Sequence, residues 1–146
     1  MHVVVATDGS KQSLAAAKKL MSFADPAKIT EISVVGVVSP YASVAFADEI
    51  SKEKPHDRSF REAAEDAVET VAQVLDGWGP TVHRRLRSGS PATEIVRAAK
   101  VLGADLVVVA SGSRGLSETV LLGSTAQRVQ HSAPCPVLVV RPTRKK

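Results

Sequence analysis

With 146 residues, 44% hydrophobic and 23% charged, the chain has the size and composition of one globular domain with its own core, outside the disordered and fibrous classes. Aromatic residues make up 3%, so the core must come from Val, Leu, Ile and Ala, and a single nucleic-acid strand would find few stacking platforms. The net charge of +4 is matched by Arg141, Arg144, Lys145 and Lys146 alone, which reads as a solvated basic tail rather than a specific nucleic-acid surface.

His2 to Ala6 is predicted as a buried strand, followed by Ser10 as the N-cap of a helix over Lys11 to Phe23. Leu14, Ala17, Leu20 and Met21 share one face of that helix. Glu31 to Val38 is a second apolar strand. Residues 41 to 58 are expected to form a surface excursion, long for a plain connection and suited to a lid or partner-facing loop as well as to a mobile loop. Phe60 to Leu75 reads as a helix, broken by Gly77, Gly79 and Pro80. Thr81 to Arg87 alternates and is expected at an edge with one wet face. A helix over Pro91 to Leu102 buries Ile95, Val96, Ala99 and Leu102 and ends at Gly103. Asp105 to Ala110 is the most apolar strand. After a Gly/Ser-rich loop come a helix from Ser124 to His131 and a last strand, Pro136 to Val140.

The alternation is βα repeated, five strands with about four helices. Continuous Val runs point to strands buried on both faces, hence an α/β fold with one doubly wound parallel sheet between two helical layers. One domain over 1–146 is expected. The single cysteine, Cys135, lies between prolines at an apolar run and reads as a buried structural thiol. No apolar run reaches the length of a membrane span, and the opening residues do not read as a signal peptide, so the expected compartment is the cytoplasm.

In open α/β sheets ligands bind beyond the carboxyl ends of the strands. Two such ends stand out: Ala6 to Ser10, and Ser111-Gly112-Ser113-Arg114-Gly115 with Gly123-Ser124-Thr125 at the next helix start. Glycines permit close backbone approach, and a helix N-terminus offers free N–H groups and a positive dipole end. With Arg114 for a two-pronged phosphate contact, this second group has the chemistry of a triphosphate cradle. A plain turn with a Ser N-cap is the alternative. Asp8 has three readings: a ribose hydroxyl contact, a metal held with phosphates, or a cap on its own turn. There is no P-loop lysine motif, no G-x-G-x-x-G after the first strand and no G-x-S-x-G elbow. The histidines His2, His56, His83 and His131 lack metal-pair spacing. No general base beyond Asp8 and no P-loop lysine are evident, so rapid phosphoryl transfer is not expected, and a slow nucleotide hydrolase (ATPase) or phosphotransferase is the enzymatic alternative.

Taken together, Thr7-Asp8-Gly9-Ser10, Gly89-Ser90-Pro91-Ala92, Ala104 to Val109 with Gly112-Ser113-Arg114-Gly115, Gly123-Ser124 and Pro134 to Val140 resemble the universal stress protein family over nearly the whole chain. The resemblance implies a Rossmann-like sheet of order 3-2-1-4-5, a homodimer through Val137 to Val140, and ATP, with or without Mg, as ligand. By the same resemblance Thr7 and Asp8 contact the adenosine end and Val37 lies against adenine. Ser111, Gly112, Arg114, Gly115, Gly123, Ser124 and Thr125 surround ribose and phosphates. The family's nucleotide-binding pattern is G-x2-G-x9-G-(S/T). Here seven residues, Leu116 to Leu122, separate Gly115 from Gly123, which leaves an interaction scaffold without nucleotide as the other implied function.

Overall fold

The structure, a computed structural model, describes residues 1–38, 56–112 and 123–142, with side chains described from residue 60 onward in the second segment. Five strands form one wholly parallel sheet: β1 (His2–Thr7), β2 (Glu31–Val38), β3 (Thr81–Ser88), β4 (Leu106–Ala110) and β5 (Val137–Val140), in the order β3-β2-β1-β4-β5. The connecting helices are α1 (Lys11–Phe23), α2 (His56–Leu75), α3 (Pro91–Leu102) and α4 (Ser124–Ser132). A single 3-10 turn, Pro26–Lys28, absent from the sequence reading, leads into β2 and is capped by the Asp25 side chain.

The sheet is doubly wound because the residues of each strand alternate between two cores. Val3, Val5, Ile32, Val34 and Val108 pack with Leu20 of α1 and Val68, Val71 and Leu75 of α2. Val4, Val35, Val107 and Val109 pack on the opposite face with Ile95, Ala99, Ala126 and Val129 of α3 and α4. Val3, Val4 and Val5 are all completely buried, which requires helices on both faces and contributes about 1.5–3 kcal/mol per side chain relative to exposure. At Gly36 a Cβ would come within 2.7 Å of Val68 Cγ2, so the missing side chain lets α2 settle closely on β2.

β3 is an edge strand with intermediate and exposed positions along its length, as its basic alternation predicts. Its inward Arg85 is accommodated by Ser33, fully buried on β2, which accepts a hydrogen bond from Arg85 Nε at 2.9 Å and pairs with His2 Nε2 at 2.8 Å. The expected excursion at 41–58 ends earlier than its composition indicates. Residues 56–58 belong to α2, and 41–55 lie outside the described residues. Among the described residues no helix is long and apolar enough to cross a membrane.

Candidate functional site

In this strand order the chain departs in opposite directions from β1, towards β2 on one side and β4 on the other, and a crevice opens between their carboxyl ends. A cleft of about 330 Å³ occupies that place, within the range of small-molecule sites. Its walls are apolar where Val37, Ile95 and Val109 line it. It is polar where Asp8, Ser111, Ser124 and Thr125 do.

The first polar wall is the turn between β1 and α1. Asp8 Oδ1 accepts from the Ser10 backbone N–H at 2.9 Å and from Ser13 Oγ at 2.6 Å. Ser13 Oγ in turn accepts from the Asp8 N–H at 3.1 Å. Ser10 caps α1, its Oγ accepting from the Ser13 N–H at 3.1 Å, and Thr7 Oγ1 accepts from the Gly9 N–H at 3.1 Å. Partial burial pulls the Asp8 carboxyl upward, but the hydrogen bonds from Ser10 and Ser13 outweigh it and hold the group below its ordinary value. Asp8 therefore does cap its own turn, as one of its readings has it. It does so with Oδ1, while Oδ2 takes no protein hydrogen bond among the described residues.

The second polar wall is the start of α4. Gly123, not Ser124, is the N-cap, with extended backbone at φ −66° and ψ 162°. Its N–H donates to the Ser111 carbonyl at 2.6 Å, tying the end of β4 to the start of α4, and its carbonyl accepts the Gln127 N–H at 3.0 Å. The Gly123 amide is therefore occupied within the protein. Unsatisfied helix donors at this end belong to the first turn, Ser124 to Ala126, all on the cleft lining.

The structure thus brings Thr7, Asp8, Val37, Ser111, Gly112, Gly123, Ser124 and Thr125 to one cleft. Arg114 and Gly115 lie outside the described residues. Sequence reasoning passed over Ser13, a polar residue 3% exposed on the buried face of α1. A hydroxyl on such a face needs a partner, and that was the available signal. It also passed over Ile95 as a cleft wall and Glu94, 7% exposed, whose carboxylate accepts from Arg87 Nε at 2.9 Å and from Arg97 at 2.6 Å. Cys135 is only partly buried, not the fully buried thiol its sequence context predicts; that partial burial first, then the charge of Asp105, push its thiol pKa up.

The universal stress protein MJ0531 of Methanocaldococcus jannaschii is 38% identical over 146 residues, covering 99% of this chain and 84% of that protein. The solved structure of hypothetical protein MJ0577 matches with a TM-score of 0.81 and 25% identity, covering 99% of this chain and 97% of the other. A universal stress protein family protein from Arabidopsis thaliana, solved with AMP bound, shares the fold at a TM-score of 0.69 and 20% identity over 98% of this chain and 92% of its own. The sequence model of the universal stress protein family matches residues 1–141, and the chain belongs to that family.

Proposed function

We propose that the chain is a regulatory, stress-response module that binds an adenine nucleotide, ATP with or without Mg, in the cleft between β1 and β4. The observation that carries this reading is the cleft's polarity at the topological switch point. Val37, Ile95 and Val109 give an apolar slot for a base, and the α4 N-terminus with two hydroxyls gives a hydrogen-bond-donating, positive-dipole end for phosphate. Asp8 lies at the β1 side with Oδ2 open for a ribose hydroxyl. The AMP bound by the Arabidopsis relative fits the same ligand class. Because Ser111 occupies the Gly123 N–H, the phosphates are held by the amides and hydroxyls of Ser124 and Thr125, with Arg114 and Gly115 completing the cradle. Asp8 is the sole carboxylate among the described lining residues, so Mg is held chiefly by the phosphates. The module works in the cytoplasm as one domain over 1–146 and as a homodimer through β5, whose outer edge has no partner strand among the described residues.

Amide chemical-shift mapping with AMP and Mg-ATP tests the site. Saturable shifts at Thr7, Asp8, Val37, Ser111 and Ser124 to Ala126 are expected. A saturable response confined to other residues contradicts the assignment.

A further inference from the structure

A second concavity, about 290 Å³, lies over the seam between α3 and α4. Thr93, Arg97 and Lys100 stand at i, i+4 and i+7 along one helix, and Arg128 and Ser132 at i and i+4 along the other. These five donors surround a floor of Ala92 and Val96, and no carboxylate is among the described lining residues. From this arrangement we infer that the groove is an anion site for a phosphate-class dianion, separate from the nucleotide cleft.

Charge counting decides its sign. Arg97 is only partly compensated, since it shares the single carboxylate of Glu94 with Arg87. Lys100 and Arg128 have no carboxylate partner among the described residues, and both are exposed. At least two positive charges therefore remain across a groove whose helices pack together. The helix C-termini at Ser132 of α4 and, beside Lys100, at Leu102 of α3 each contribute about half a negative charge, together too little to cancel them. Two like charges facing one hollow repel, and a dianion between them removes that repulsion. The guanidinium of Arg128 and the ammonium of Lys100 supply charge-assisted hydrogen bonds, and the Thr93 and Ser132 hydroxyls supply neutral ones. The apolar floor leaves room for more than a bare oxyanion, so a phosphomonoester fits better than phosphate itself. α3 and α4 each contribute to both hollows: Ile95 and Ala126 to the first, Val96 and Arg128 to the second.

The test is titration of the isotope-labelled full chain with inorganic phosphate and, in parallel, with phosphoserine, at low ionic strength. Saturable shifts at Thr93, Arg97, Lys100, Arg128 and Ser132 are expected, weakening as salt is added. Tighter binding of phosphoserine identifies an ester as the ligand, and equal binding identifies the phosphate group alone. The variant Lys100→Gln/Arg128→Gln, whose changes are at exposed helical positions, should keep its melting temperature and bind about tenfold or more weakly. Asp8→Ala should leave this binding unchanged whether or not the first cleft takes a nucleotide. Shifts that do not saturate, or equal affinity in the double variant, overturn the inference.

Discussion

Ser13 Oγ and the Asp8 carboxylate form a reciprocal pair: the hydroxyl donates to Oδ1 at 2.6 Å and accepts the Asp8 backbone N–H at 3.1 Å. One buried side chain on α1 thereby fixes both the backbone and the side chain of the residue that follows β1. The Asp8 side chain is held in one rotamer on the cleft lining, which would reduce the ordering cost of binding a ligand there.

Ser13→Ala removes this clamp without changing the volume of the helix face. Because the lost hydrogen bonds are only part-buried, the expected cost is about 1–2 kcal/mol of stability, measured by urea denaturation. Nucleotide affinity should fall as well. A variant as stable as the parent, with unchanged affinity, would show the clamp to be without consequence.

The same hydrogen bonds set a pH dependence. The folded-state pKa of Asp8 is depressed below its ordinary value of 3.8, so its contribution is fully present above that value and is lost as pH falls through the folded pKa. Acid titration of the unfolding free energy should therefore be less steep in Asp8→Asn than in the parent below about pH 4. Parallel acid limbs would contradict the assignment.

Much of this architecture is legible in the residues. The fully apolar Val runs of β1 and β4 can be accommodated only between two helical layers, and the Arg-rich alternation of Thr81 to Arg87 suits only an edge. The cleft follows from strand order, because polar residues after β1 and β4 meet wherever those strands are neighbours. The sequence is silent where function depends on side chains meeting across the fold. Ser13 matters through its approach to Asp8. Glu94 is buried because Arg87 arrives from β3, and no helical periodicity announces that. The Gly123 amide, aimed at phosphate by the sequence pattern, turns instead to a carbonyl twelve positions earlier, Ser111. His56 to Arg58 extend α2 although their charges give no apolar period.

Gly89 tests the packing beside Glu94. Its φ is +139°, and an added Cβ would sit 2.9 Å from Glu94 Oε2. Gly89→Ala should therefore destabilise the fold by about 1–3 kcal/mol, read as a lowered melting temperature. An unchanged melting temperature would mean that the turn relaxes freely.

Val139 tests the dimer. Its strand is apolar yet only partly buried at all four positions, and its outer edge has no partner among the described residues. Val139→Lys should yield monomers by light scattering where the parent gives dimers. A variant that remains dimeric places the interface elsewhere.

The proposed adenine-nucleotide site in the β1/β4 cleft is tested most directly by calorimetric titration of the nucleotide-stripped protein with Mg-ATP and with AMP. Saturable binding at one site per chain, weakened in Asp8→Ala, is the predicted result. Absence of heat from both ligands, with the protein folded, would contradict the claim and leave the domain as an interaction scaffold.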